Sequence, residues 1–243
     1  MGARYPFILA QISPPEASAP SSCPNARNIA MTPAEASARA AEICRLAPVI
    51  PVLVIEEVAH AAPLARALVK GGLPVLEVTL RTPAALDVIR AMAEVEGGVV
   101  GAGTLLTPAD VKAAKAAGAT FGVSPGATDR LLDACEDHDL PLLAGAATCS
   151  EVMALMERGY TVQKFFPAEA NGGAAALAAI GAPLPQVGFC PTGGITLAKA
   201  ADYLKLKNVL CVGGSWVAPK AMMQAGDWAG IEALAAEAAA LPR

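Results

Sequence analysis

The chain has few aromatic residues, 4%, little charge, 16%, and only two histidines; its 18 Lys and Arg are set against 22 Asp and Glu. With no basic run, the electrostatic footprint of a nucleic-acid binder is missing, and no nucleic-acid partner is expected. His60 and His138 have no second ligand candidate beside them, which argues against a histidine-built metal site and leaves both as helix-surface or packing residues. No cofactor motif accompanies them. The six cysteines, at 23, 44, 135, 149, 190 and 211, form no Cys-x-x-Cys pair and mostly fall in apolar segments, the pattern of reduced core thiols in a cytoplasmic protein. The apolar patch at 5–10 is too short to span a membrane and weak as a signal-peptide core, so neither a membrane partner nor export is expected.

What is present is a chain of 243 residues, 54% apolar, enough for one large core. Residues 1–31 carry Pro14-Pro15, Pro20, Ser21-Ser22 and Pro24 without periodicity and read as a disordered tail. Thr32-Pro33-Ala34-Glu35 has the hydroxyl-Pro-x-acid pattern of a capping box, so a helix opens there, and the ordered domain is expected over 32–243. Met31, directly before it, is a second candidate start.

From Val49 onward short β-branched runs alternate with alanine-rich helical stretches. Strands are expected at 49–55, 75–80, 99–103, 120–123, 141–144, 161–166, 186–190 and 208–212. Helices open at Thr82-Pro83 and Thr107-Pro108, and several end in glycine: Gly71-Gly72, Gly118, Gly159. Eight such units predict a parallel (β/α)8 barrel preceded by an N-terminal helix. No Gly-x-Gly-x-x-Gly follows the first strand, which weakens a dinucleotide-binding alternative.

Within Thr161-Val162-Gln163-Lys164-Phe165-Phe166-Pro167, period-2 alternation puts Val162, Lys164 and Phe166 on one face, so the Lys164 amine points where an apolar side chain normally goes. Desolvation disfavours an ammonium, leaving the free amine that imine chemistry with a ketone requires. The competing reading is a lysine snorkelling to water. In Leu76-Glu77-Val78-Thr79-Leu80-Arg81-Thr82 the polar residues share the inward face. A rise of about 3.3 Å per residue puts Arg81 about 13 Å above Glu77, near the mouth. Glu77 and Lys164 in one interior form either a proton relay or an inert buried ion pair.

The seventh and eighth strands end in Pro191-Thr192-Gly193-Gly194 and Gly213-Gly214-Ser215-Trp216, whose backbone N–H groups and hydroxyls can form an anion cradle where this fold commonly binds phosphate. Gly101-Ala102-Gly103-Thr104 and Ser124-Pro125-Gly126 end the third and fourth strands, where turn chemistry alone is the competing explanation.

These segments, with Lys164-Phe165-Phe166-Pro167-Ala168-Glu169-Ala170-Asn171-Gly172-Gly173, resemble the 2-dehydro-3-deoxy-phosphogluconate aldolases from about Met31 to the C-terminus. The departure is Ala144-Gly145-Ala146-Ala147-Thr148, where the family more often has Pro-Gly and a serine before the threonine. The resemblance implies a class I aldolase of the Entner–Doudoroff pathway, often cleaving 4-hydroxy-2-oxoglutarate as well, with no metal or cofactor, assembled as a homotrimer. Lys164 would form the Schiff base with the substrate ketone and Glu77 would move protons. Arg81 and Thr104 would hold the substrate carboxylate, Phe166 and Pro125 would wall the pocket, and Thr192 would bind a hydroxyl. Gly193, Gly194, Gly214 and Ser215 would hold the phosphate. Two other classes fit the residues alone: a phosphate-binding isomerase or synthase without a covalent imine, and a non-catalytic sugar-acid phosphate binder.

Overall fold

The computed structural model describes residues 30–242. The expected tail over 1–31 therefore lies almost wholly outside the described residues. From the N-terminus the elements are α1 (Pro33–Arg45), β1 (Val49–Leu53), α2 (Ala61–Lys70), β2 (Val75–Thr79), α3 (Ala85–Ala93), β3 (Val99–Gly103), α4 (Pro108–Ala116), β4 (Phe121–Val123) and α5 (Asp129–Asp137). They continue with β5 (Leu142–Ala146), α6 (Cys149–Arg158), β6 (Val162–Phe165), α7 (Gly173–Gly181), β7 (Gly188–Pro191), α8 (Leu197–Leu204), β8 (Val212–Gly214), α9 (Lys220–Ala225) and α10 (Trp228–Ala239). The strands pair in parallel in the order β7-β6-β5-β4-β3-β2-β1-β8, and the bridges Phe189 to Val209 and Thr192 to Gly213 close the ring between β7 and β8. The architecture is the (β/α)8 barrel with its N-terminal helix.

Local sequence sets the helix starts. Thr32 and Thr107 each accept a bond from the backbone N–H three residues on, Glu35 and Asp110 reach back to the cap, and proline occupies the first turn of both helices. Thr148 and Glu151 form a third such box, which starts α6 immediately after β5. Each satisfies N–H groups that the helix itself leaves orphaned, worth about 1 kcal/mol per cap.

Two expectations need correction, and the cysteines are mostly in the core as expected. Thr82-Pro83 does not open α3, which starts at Ala85: the Thr82 hydroxyl donates instead to the Ile55 carbonyl at 2.7 Å and ties the turn to β1. The last strand is offset from 208–212 because the chain there changes partner. Phe189 N–H donates to Asn208 O at 2.7 Å and Leu210 N–H to Phe189 O at 2.9 Å, and only from Val212 does the regular ladder with β1 run. Cys149 is exposed at the start of α6 rather than in the core, while Cys44, Cys135, Cys190 and Cys211 are buried; Cys23 lies outside the described residues.

The barrel interior is filled by Ile50, Val75, Phe121, Val123, Leu143, Val162, Cys190 and Cys211, and Ala40, Ala41 and Cys44 of α1 plug its floor. Ser37 fixes that plug by accepting from the Thr161 and Val162 N–H groups at 2.8 and 2.9 Å, so the backbone at the start of β6 keeps its partners. With the floor apolar and closed, polar interior groups have access only towards the strands' carboxyl ends. No helix among the described residues is long and apolar enough to cross a membrane.

Candidate active site

The β6 alternation occurs as read. Gln163 points outward, where its amide donates to the Val152 and Tyr160 carbonyls, and Phe165 joins the outer core. Lys164 points into the barrel one layer above Val162, in register with Gly145 on one side and Cys190 on the other. Lys164 is 5% exposed and Glu77 3%. The Lys164 Nζ donates to Glu77 Oε1 at 3.3 Å and lies 5.2 Å from the centre of the Phe166 ring.

Burial pushes the Glu77 carboxyl above the ordinary carboxylate range, an effect that the Lys164 ammonium and, less strongly, Arg81 offset only in part. A carboxyl group whose protonated form is favoured in this way can hold a proton as well as accept one. The snorkelling reading fails on geometry, because the Lys164 amine ends at the carboxylate inside the barrel, not in bulk water. The glycine at 103 makes this possible: a Cβ there would stand 2.4 Å from Glu77 Oε1, so any larger residue would displace the carboxylate.

At the carboxyl ends of the strands lies a cavity of about 410 Å³ whose wall includes Arg81, Phe166, Thr192, Gly193, Gly194, Gly214 and Ser215, and Phe166 links it to Lys164. Seven predicted site residues thus meet around one space, while Lys164 and Glu77 are not themselves part of its wall. Thr104 and Pro125, at the ends of β3 and β4, are half-buried and stand outside this wall. Thr104 has φ of 63°, a left-handed conformation rare for a β-branched residue. Arg81 is exposed at the mouth and has no ion-pair partner among the described residues, which leaves its guanidinium fork free.

Sequence reasoning missed Val52, Ile195 and Thr196 in the wall, and assigned Gly213 and Trp216 no role of their own within the cradle segment. The missing Cβ atoms of Gly213 and Gly214 are filled from within: one would stand 2.2 Å from Thr192 Oγ1, the other 1.8 Å from the Trp216 ring. Those two glycines therefore seat Thr192 and Trp216. Gly193 and Gly194, with φ of 109° and 74°, form the turn that side chains rarely adopt. In the Ala144–Thr148 segment the glycine is the residue that the packing requires. β5 runs through Ala146, and a Cβ at Gly145 would meet the Pro125 carbonyl at 2.3 Å, so the β4 and β5 ends pack directly together.

The family model described as KDPG and KHG aldolase matches residues 40–234. The chain belongs to the KDPG and KHG aldolase family. The 2-dehydro-3-deoxy-phosphogluconate (KDPG) aldolase of Pseudoalteromonas atlantica is 53% identical over 194 residues, covering 79% of this chain and 90% of the relative. Among solved structures, the KDPG aldolase of Zymomonas mobilis with 3-phosphoglycerate is 51% identical with a TM-score of 0.79, covering 83% of this chain and 95% of that one. The KDPG aldolase of Legionella pneumophila, with pyruvate captured as a covalent carbinolamine, is 44% identical with a TM-score of 0.80, covering 82% and 98%.

Proposed function

We propose that Lys164 is the imine-forming nucleophile and Glu77 the proton shuttle of this class I aldolase. It cleaves 2-dehydro-3-deoxy-6-phosphogluconate to pyruvate and glyceraldehyde 3-phosphate, and 4-hydroxy-2-oxoglutarate to pyruvate and glyoxylate. The observation that carries the residue assignment is the buried 3.3 Å contact between Lys164 Nζ and Glu77 Oε1 inside the barrel.

Proton transfer from Lys164 to Glu77 leaves a free amine, which attacks C2 of the substrate. Glu77 returns a proton to the carbinolamine oxygen, water leaves, and a protonated imine forms. Glu77, directly or through water, then takes the C4 hydroxyl proton; the C3–C4 electrons flow into the imine as the aldehyde departs. The enamine takes a proton at C3, and hydrolysis of the imine releases pyruvate and regenerates Lys164. The Arg81 fork, helped by Thr104, holds the substrate carboxylate bidentately. Phe166 and Pro125 limit water at the reacting carbons, and Thr192 binds a substrate hydroxyl. Gly193, Gly194, Gly214 and Ser215 receive the phosphate at the mouth. The carbinolamine captured in the Legionella relative supports the covalent route, and 3-phosphoglycerate in the Zymomonas relative supports a phosphorylated substrate.

The working form we infer is a cytoplasmic homotrimer, as the family resemblance implies; sedimentation of the purified protein checks the assembly. The functional test is equimolar formation of pyruvate and glyceraldehyde 3-phosphate after exhaustive chelation, because the imine supplies the electron sink that a metal ion supplies in other aldolases. Activity lost in EDTA and restored by a divalent ion would overturn the class I assignment.

A further inference from the structure

We infer that Glu169, five residues beyond Lys164, is a positioning residue that braces the Gly193-Gly194 turn for the substrate phosphate. This rests on the reading of the cavity mouth as the phosphate subsite.

The loop after β6 is stitched to the loop after β7 by main-chain bonds, Ala168 N–H to Thr192 O at 2.8 Å and Glu169 N–H to Gly193 O at 3.1 Å. The Glu169 stem then crosses Gly194: a Cβ on that glycine would stand 2.9 and 3.0 Å from Glu169 Cβ and Cγ. On the other side the Phe166 ring lies against Gly193, where an added Cβ would meet it at 3.3 Å. The turn is thus held between two residues of the β6 loop. The Glu169 carboxylate ends on α8, where Oε1 accepts from the Tyr203 hydroxyl at 2.6 Å and Oε2 pairs with the Lys199 ammonium. Tyr203 is buried, at 1% exposure, so one anchor of the carboxylate is rigid. Lys199 and Tyr203 together hold the Glu169 carboxyl below its ordinary range, and it stays an anion at neutral pH. Its charge is met by Lys199, which lessens repulsion of a phosphate at the neighbouring turn.

A turn that must aim N–H groups at a phosphate loses affinity when it shifts by fractions of an ångström, while the imine chemistry at Lys164 does not depend on it. The experiment compares Glu169→Ala, Glu169→Gln and Ser215→Ala. It reads kcat and KM on the phosphorylated substrate and on 4-hydroxy-2-oxoglutarate, inhibition by inorganic phosphate, and the rate of borohydride trapping with pyruvate. Glu169→Ala should raise KM for the phosphorylated substrate and weaken phosphate inhibition by about tenfold, with trapping and cleavage of 4-hydroxy-2-oxoglutarate within about threefold of wild type. Glu169→Gln keeps the stem and an acceptor for Tyr203 and should restore phosphate inhibition to within about threefold. Unchanged phosphate inhibition in Glu169→Ala, with Ser215→Ala impaired, overturns the inference alone. Unchanged inhibition in both overturns the phosphate subsite and the inference with it. Equal losses in trapping and in phosphate inhibition in Glu169→Ala would show general support of the barrel end and also overturn it.

Discussion

Glu77 lies in the space that a side chain on Gly103 would fill, with its Oε1 2.4 Å from where that Cβ would be. The glycine on β3 and the acid on β2 are one device: the first leaves the room in which the second reaches Lys164.

Gly103→Ala should therefore keep the barrel but lower kcat by about ten- to a hundredfold, since a displacement of about 1 Å at a reacting group carries a cost of that order. Overpacking should also cost about 1–3 kcal/mol of stability. Circular dichroism and steady-state cleavage check both, and an alanine variant with wild-type kcat would show that the Glu77 position is not critical.

The barrel was legible in the sequence because the β-branched runs alternated with helical stretches, several of whose caps or closing glycines could be read locally. Lys164 and Glu77 stood out because each breaks an apolar alternation. Less was legible where partners are distant. Nothing near Gly103 announces Glu77, nothing near Gly213 announces Thr192, and Val52 lines the cavity as an ordinary strand valine. The last strand was misplaced because residues 208–210 bond to β7 before 212–214 pair with β1, a division that no local pattern records. The Thr82 hydroxyl looked like a cap and instead ties a turn to β1.

Because burial raises the Glu77 pKa, the carboxylate that the proposed C4 deprotonation needs is populated only above the ordinary glutamate range. The acid limb of kcat/KM should fall there, and Glu77→Gln should leave too little activity to define one. The stability sign follows from the same shift. The folded state binds this proton more tightly than the unfolded state, so the contribution is present below the unfolded pKa and is lost as pH rises through the folded one. The Tm of Glu77→Gln relative to wild type should accordingly climb with pH across that window; a flat or falling difference would contradict the burial effect.

Ser215 is exposed at the cavity mouth, at the end of β8. Ser215→Ala should remove one hydrogen bond to a charged acceptor, worth about 1.5–3 kcal/mol, or about ten- to a hundredfold in kcat/KM on the phosphorylated substrate. Cleavage of 4-hydroxy-2-oxoglutarate should suffer much less, because its distal carboxylate is nearer the reacting carbons and makes less use of the cradle. Equal losses on the two substrates would place Ser215 in support of the barrel end instead of the phosphate.

The proposed chemistry turns on Lys164, and borohydride reduction of an imine there tests it directly. Protein mixed with pyruvate and borohydride should gain the mass of one reduced pyruvate adduct, mapped by peptide sequencing to Lys164. Lys164→Met, which roughly conserves volume in the barrel interior, should fold, show no adduct and cleave neither substrate. An adduct on another lysine, or trapping that persists in Lys164→Met, would contradict the assignment.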